Sequence, residues 1–139
     1  MKAKTKYGQA RRLASTTELT REQWLDIRQL GIGSSDAAVA VGLSPYKSQL
    51  TLWLEKTARK APEDISQKEA VLWGVELEPV LAQVYAKRTG YKVRRVNAVL
   101  QHPEHTFMLA NLDREVVGHP DGPGILEIKT ASYHSAPQW

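Results

Sequence analysis

Two charged residues in the segment GILEIKTAS, Glu127 and Lys129, have the types and spacing best suited to chemistry in this sequence. Residues two apart share one face of a strand, so this carboxylate and this ammonium lie side by side, on the same face as Ile125. A carboxylate can hold a divalent cation, and a neighbouring lysine can position or deprotonate a water molecule. The same triplet also suits a simple salt bridge on a solvated face, which contributes about 0.2–1 kcal/mol. The pair alone does not decide between these two interpretations.

A hairpin between the last two strands would bring a second carboxylate to this pair. We expect the hairpin to form across the turn-rich GHPDGPG, with Val117 opposite Ile125. In that register Asp113 lies opposite Lys129 and diagonal to Glu127, within reach of both side chains. The sequence therefore predicts a patch of two carboxylates and one ammonium.

Glu78 is the candidate for a third carboxylate of this patch, because it lies at the edge of the apolar stripe of a long predicted helix. Mg²⁺ requires oxygen ligands, keeps several waters and is typically held by one or two carboxylates together with a substrate phosphate. A metal in such a patch can activate water and stabilise the charge of a phosphate under attack. The three carboxylates therefore predict a magnesium site for phosphodiester chemistry.

Four helices are predicted in the first 90 residues. The first begins at a capping box, Thr20 with Gln23, and the fourth begins at a second box, Ser66 with Glu69, and ends at Gly90. Between them lie two shorter helices, in the segments GIGSSDAAVAVGL and SQLTLWLEKTARK.

After Gly90 the apolar period changes from 3.6 residues to two, which is typical of strands. The fold class predicted is α/β (α+β), with N-terminal helices and a helix leading into a three-stranded antiparallel meander. Residues 1–19 lack apolar periodicity and are expected to be a flexible basic arm before one domain at residues 20–139. The three predicted strands are YKVRRVNAVL, FMLANLDREVV and GILEIKTAS.

The composition suits a globular domain, since 42% of the 139 residues are hydrophobic and 24% are charged. The sequence shows neither a transmembrane stretch nor a signal peptide, and it has no cysteine, which together indicate a cytoplasmic protein. A net charge of +4 agrees with a polyanionic partner without proving one. Lys92, Arg94 and Arg95 could follow phosphates along one strand, or could be the solvated charges of a sheet edge.

Four segments, read together in this order and spacing, resemble the YqaJ-like viral recombinase family, which is related to the phage lambda exonuclease. The resemblance implies a PD-(D/E)XK restriction-endonuclease-like core and a nuclease that depends on Mg²⁺, with Mn²⁺ as an alternative. It further implies an exonuclease that digests linear double-stranded DNA ends in phage-type recombination, within a bacterial or phage-infected cell. The segments are GIGSSDAAVAVGLSPYKSQLTLWLEKT, WGVELEPVLAQVYAKRTGYKVRRVN, HPEHTFMLANLDREVVG and GILEIKTAS.

The resemblance also assigns roles to individual residues. Asp113 in NLD is similar to the metal-binding aspartate of the family, and Glu127 and Lys129 in LEIK are similar to its (D/E)XK pair. Glu78 in WGVELEP is similar to the helical carboxylate that completes the metal site. Ile128, between the last pair, is implied as a further metal ligand.

The segment GIGSS is similar to the place where the family receives a phosphate of the DNA end. The residues implied are Ser35 above all, with Ser34 and the upstream Arg28. Without the resemblance, plain N-capping of a helix explains the two serines equally well.

The sequence departs from the family pattern in two places. Leu112 stands where the superfamily has proline, and the sequence stops soon after Lys129, where members continue with a further helix and more of the sheet. We therefore expect a core that is incomplete at its C-terminus. The alternative to a nuclease is a non-catalytic remnant that binds DNA ends or a protein. A single-strand annealing recombinase is an expected partner, and a homo-oligomer is expected by analogy with some relatives.

Overall fold

The computed structural model describes residues 10–132, which form two compact units. Within the described residues, the first unit contains residues 10–62 together with Asn97–Asn111, and the second contains Glu63–Val96 together with residues 112–132. In chain order the elements are β1 (Arg11–Ser15), α1 (Arg21–Gln29), α2 (Ser34–Ala40), α3 (Gln49–Lys56), α4 (Glu69–Thr89), β2 (Lys92–Arg95), β3 (Ala98–Gln101), β4 (Leu109–Asn111), β5 (Arg114–Val117) and β6 (Gly124–Leu126).

The first unit combines α1, α2 and α3 with an antiparallel sheet in the order β1-β3-β4. The central strand β3 supplies the core of this sheet, and its Val99 is only 1% exposed. The loop after α1 is joined to the start of β4 by two backbone hydrogen bonds. Ile32 N donates to Phe107 O at 2.7 Å, and Leu109 N donates to Ile32 O at 2.9 Å.

The second unit combines α4 with an antiparallel sheet in the order β2-β5-β6. The helix ends at Gly90, whose φ of 75° places it in the left-handed conformation that glycine adopts at low cost. Among the described residues, the buried apolar residues of this second unit are Ala82 of α4, Val96 and Val116. Its three strands pair antiparallel as the sequence predicts, but the predicted single meander is wrong, because β3 and β4 intervene between β2 and β5 and belong to the other sheet.

The four predicted helices are confirmed within the described residues, and the mixed α/β class is confirmed with them. Thr20 and Gln23 form the capping box of α1 in both directions. The predicted start of α4 is wrong, because the helix begins at Glu69 with Lys68 as N-cap and without a side-chain cap. Ser66 lies in the turn before it.

The predicted strands are shorter than expected, because the chain passes from one sheet to the other in the middle of two of them. The segment YKVRRVNAVL divides into β2 and β3, and FMLANLDREVV divides into β4 and β5. Part of the expected arm is also a strand, since Arg11–Ser15 pair with β3. Because of this pairing, β3 has a neighbouring strand on each side, β1 and β4. Residues 1–9 of the arm and residues 133–139 lie outside the described residues.

No helix within residues 10–132 is long and apolar enough to cross a membrane.

Two glycine-to-alanine substitutions should change stability in opposite directions. A methyl group on the buried Gly31 would overlap Phe107 O and lie 2.8 Å from Leu109 Cγ. Because backbone atoms cannot move aside cheaply, Gly31→Ala should lower the free energy of unfolding by about 1–3 kcal/mol. In α4, a methyl group on Gly74 meets only Thr130 Oγ1, at 3.6 Å. Gly74→Ala should therefore raise that free energy by about 0.5–1 kcal/mol. Urea denaturation of both variants measures the two signs, and equal effects would contradict the packing described around Gly31.

Candidate functional site

Strands β5 and β6 pair in a register two residues away from the one expected. Glu115, not Val117, lies opposite Ile125, and the pairing closes at Val116 and Gly124. Val117 pairs only with Lys92 of β2, because the residues after it turn away into the loop that closes with a hydrogen bond from Gly122 N to His119 O. The predicted pair of Val117 with Ile125 is therefore wrong. A shift by two residues leaves every side chain on its predicted face, whereas a shift by one would reverse them.

Asp113 lies next to the Glu127–Lys129 segment, although not by the pairing expected. The ladder ends at the pair Arg114 and Leu126, and Asp113 Oδ2 then accepts a hydrogen bond from Ile128 N at 3.0 Å. Extending the observed register by one pair sets Asp113 beside Glu127 instead of opposite Lys129. The carboxylate thus takes the place of a backbone acceptor and holds the chain after β6 against the start of β5.

Glu127 and Lys129 form an ion pair, with 2.5 Å between Lys129 Nζ and Glu127 Oε1. Ile125 and both charged residues are exposed, whereas Leu126 and Ile128 are partly buried. This alternation confirms the two faces predicted for the segment, even though the hydrogen-bonded strand stops at Leu126. The two side chains are 43% and 54% exposed, so the pair itself contributes little stability.

Glu78 of α4 is held by two arginines of the sheet. Arg114 donates from Nε to Oε1 at 2.5 Å and from Nη2 to Oε2 at 2.8 Å, and Arg95 Nη2 lies 3.8 Å from Oε2. Arg95 and Arg114 are direct partners in the β2–β5 ladder, so their side chains share a face. The Arg114 hydrogen bonds hold the pKa of Glu78 below its usual range, and in return they raise the pKa of Arg114. Glu78 is therefore ionised and already paired at neutral pH.

Only some of the proposed metal ligands lie close to one another. No group of three or more His, Cys, Asp or Glu side chains within residues 10–132 is close enough together to hold a metal ion. The hydrogen bond to Ile128 nevertheless brings Asp113 beside the segment that carries Glu127. Mg²⁺ needs only one or two protein carboxylates and completes its shell with water. Asp113, Glu127 and the carbonyl of Ile128 are therefore a donor set of the right chemical type, while Glu78 is engaged by Arg114.

In the first unit, two of the three proposed phosphate-binding residues lie in direct contact. Arg28 Nη2 donates a hydrogen bond to Ser35 Oγ at 2.8 Å, and the Arg28 guanidinium lies 4.7 Å from the ring centre of Trp24. Ser34 is the exposed first residue of α2. Neither serine is the N-cap, because that position is occupied by Gly33. Simple N-capping, the alternative for these serines, is therefore wrong.

Sequence reasoning missed the arginines that pair with carboxylates in the second unit. Besides Arg114, Arg94 Nε donates to Glu115 Oε2 at 2.6 Å, and Glu115 is only 3% exposed. Two of the three basic residues of β2 therefore face carboxylates, which differs from a row of charges following phosphates. The available signal in the sequence was Arg114, which directly follows the candidate Asp113. Its partner Glu78 lies 36 residues away, so the sequence does not indicate the pair.

The Glu78–Arg114 pair should make stability depend on pH in one direction. Because the folded pKa of Glu78 lies below the unfolded value of about 4.3, its stabilisation is complete above that value and is lost as pH falls through the folded pKa. Glu78→Gln should therefore lower the free energy of unfolding by about 1–3 kcal/mol at pH 7, and by progressively less below about pH 4. Urea titrations in EDTA between pH 7 and pH 3 measure this difference.

The control for that titration is Glu76→Gln, which removes an exposed carboxylate from the same helix. Its effect on the free energy of unfolding should stay within about 0.5 kcal/mol. A Glu78→Gln deficit that grows on acidification would contradict the pairing.

Comparison with known proteins identifies the family. The model of the YqaJ-like viral recombinase domain matches residues 23–139. Uncharacterized protein YqaJ of Bacillus subtilis (strain 168) is 44% identical over 127 residues, which are 91% of this chain and 39% of that relative. The chain thus spans about two fifths of the length of the curated relative. Members of the matched family are associated with phage-type recombination and are generally nucleases. This chain therefore belongs to the YqaJ-like viral recombinase domain family.

Proposed function

We propose that this protein is a Mg²⁺-dependent deoxyribonuclease that digests the ends of linear double-stranded DNA in phage-type recombination. The observation that carries the proposal is the hydrogen bond from Ile128 N to Asp113 Oδ2, which brings a second carboxylate beside the Glu127–Lys129 pair. The family relationship supports a nuclease. We further propose a PD-(D/E)XK-like core built on α4 and the β2-β5-β6 sheet, because α4 carries Glu78, Asp113 directly precedes β5, and Glu127 and Lys129 follow β6.

In this proposal Asp113, Glu127 and the carbonyl oxygen of Ile128 would hold the metal ion, and Glu78 would complete the site. When bound, Mg²⁺ supplies Lewis-acid stabilisation of phosphate charge and lowers the pKa of water. Glu78 could bind the metal only after giving up a hydrogen bond from Arg114. Without metal, Glu78 and Arg114 stay paired.

Lys129 orients the attacking water through a hydrogen bond donated by its ammonium, and the proton that the water loses passes to solvent. Its side chain is 54% exposed and its ammonium is paired with Glu127, so it can reach a substrate while staying at the carboxylate patch. The exposed location of the pair suits a polymeric substrate such as DNA.

Arg28 and Ser35, with Ser34 beside them, are proposed to contact a phosphate of the DNA end. Arg28 presents a guanidinium whose planar fork of donors matches a phosphate. Ser35 adds a hydroxyl 2.8 Å from that guanidinium. These two side chains can therefore bind adjacent oxygens of one phosphate group.

Lys129→Ala should reduce cleavage of linear duplex DNA by about 100-fold or more, because the variant loses the group that positions the water. The assay incubates 5′-phosphorylated linear duplex and closed circular DNA with the protein in Mg²⁺ or in EDTA. Only the linear substrate should be lost, and only in Mg²⁺.

The matched control is Lys87→Ala, which removes an equal charge from the exposed last turn of α4 and should leave the rate within about threefold. Cleavage by Lys129→Ala at the wild-type rate would contradict the role proposed for Lys129. Binding of DNA ends without any cleavage by the folded wild-type chain would favour a non-catalytic end-binding module instead.

Metal binding can be tested without DNA. Asp113→Asn should weaken Mn²⁺ binding, measured by calorimetry, by at least about tenfold, because a carboxylate ligand becomes a neutral amide. The amide oxygen can still accept the hydrogen bond from Ile128 N, so the local fold should persist. Asp121→Asn, at a side chain that is 92% exposed in the loop before β6, is the control and should leave Mn²⁺ affinity unchanged. Equal affinities for both variants would contradict the proposed ligand set.

A further inference from the structure

Lys56, the last residue of α3, joins the end of α1 to the start of α2. Its ammonium donates a hydrogen bond to the carbonyl oxygen of Arg28 at 2.7 Å and lies 2.7 Å from Asp36 Oδ2. The Lys56 side chain is 19% exposed and that of Asp36 is 12% exposed, so solvent screens this ion pair only weakly. One ammonium therefore fixes the backbone of Arg28 relative to α2.

Asp36 extends the same connection to the residue that precedes α2. Its Oδ2 accepts a hydrogen bond from Gly33 N at 3.2 Å as well as pairing with Lys56. Gly33 is the N-cap residue, so this carboxylate fixes the position from which Ser35 is presented. Asp36 is buried, with 9% of its surface exposed.

The side chains of Arg28 and Ser35 meet between these two fixed backbone points. Trp24 supports the Arg28 guanidinium on one side, and Ser35 Oγ accepts its hydrogen bond on the other. A guanidinium and a hydroxyl bind one phosphate well only if their relative position is set before binding, because ordering flexible side chains costs free energy.

We propose that Lys56 and Asp36 are positioning residues that hold Arg28 and Ser35 ready for a terminal phosphate of DNA. This inference rests on the proposed role of Arg28 and Ser35 in phosphate binding and extends it to a pair that touches neither substrate nor metal. The pair sets how strongly the protein prefers a phosphorylated end over a hydroxyl end. It leaves the remaining affinity for duplex DNA unchanged.

A second ion pair, between Glu55 of α3 and Lys47 in the loop before this helix, provides a matched control. Lys47 Nζ lies 2.6 Å from Glu55 Oε2, and Glu55 is buried, with 6% of its surface exposed. Breaking this pair also leaves an uncompensated carboxylate in the first unit, while the contacts of Lys56 with Arg28 and Asp36 remain. Lys47→Gln and Lys56→Gln should therefore lower stability similarly and differ in phosphate recognition.

The experiment measures DNA binding in EDTA by fluorescence anisotropy, so that cleavage plays no part. The probes are two blunt duplexes of one sequence, internally labelled, with either 5′-phosphate or 5′-hydroxyl ends. The wild-type protein should bind the phosphorylated duplex roughly tenfold more tightly, as expected for charge-assisted hydrogen bonds to one added phosphate. Lys56→Gln should reduce this ratio below about threefold, whereas Lys47→Gln should keep it.

The outcomes separate the phosphate role of Arg28 and Ser35 from the positioning role of Lys56 and Asp36. A wild-type ratio near one would overturn both the phosphate role of Arg28 and Ser35 and the inference built on it. A tenfold wild-type ratio that Lys56→Gln keeps would overturn only the positioning role. Equal losses in Lys56→Gln and Lys47→Gln would also overturn it, because a general loosening of the first unit would then explain the effect.

Removing one partner of a buried ion pair can prevent folding, whereas replacing both partners is better tolerated. The double variant Asp36→Asn with Lys56→Met is therefore measured as well. The amide oxygen introduced by Asp36→Asn can still accept from Gly33 N, and removing the Asp36 charge by itself favours an incoming phosphate. A lost preference in this variant thus reports lost positioning, and a preference at the wild-type level would overturn the inference.

Discussion

The candidate active site depends on one hydrogen bond, from Ile128 N to Asp113 Oδ2. It lies where the β5–β6 ladder has ended, so a side-chain carboxylate does the work of a backbone carbonyl. Without it, nothing in the ladder would hold the chain after Leu126, because the hydrogen-bonded pairing stops there. The same carboxylate that orders the Glu127–Lys129 segment is thus the one that we propose as a metal ligand. Local structure and proposed chemistry therefore depend on the same atom.

A second constraint follows from the pairing of two arginines across β2 and β5. Arg95 and Arg114 are direct partners in the ladder, and like charges opposite each other destabilise a sheet. Glu78 of α4 offsets that repulsion by accepting two hydrogen bonds from Arg114 and attracting Arg95. A carboxylate assigned to metal binding by family resemblance therefore also has a structural role that does not require metal. Binding a metal and pairing with the arginines would use the same two carboxylate oxygens of Glu78.

How well the sequence predicts the structure depends on the range of each interaction. Helix ends are local, so the cap at Thr20 and the glycine stop at Gly90 are predictable from neighbouring residues. The equally local box of Ser66 with Glu69 failed, because α4 begins only at Glu69 after Lys68. Asp113 still contacts the segment that carries Glu127, through Ile128 N, although the predicted register was wrong, because a shift of two preserves the faces of a strand. The division of the predicted strands was not predictable, since it depends on Arg11–Ser15, a polar segment that becomes a strand only through a distant partner. The Glu78–Arg114 pair is non-local in the same way.

The route of the chain between the two units has a consequence for folding during synthesis. Arg11 pairs with Gln101, and Arg12 also donates a hydrogen bond to Asn97 O, 85 residues later. The first unit therefore stays incomplete on the ribosome until β3 and β4 have emerged, after all of α4 and β2. Because each unit consists of two separate stretches of chain, no single cut yields one unit intact. Closing loops of this length costs entropy before the contacts repay it, which favours slow, late assembly of the β1-β3-β4 sheet.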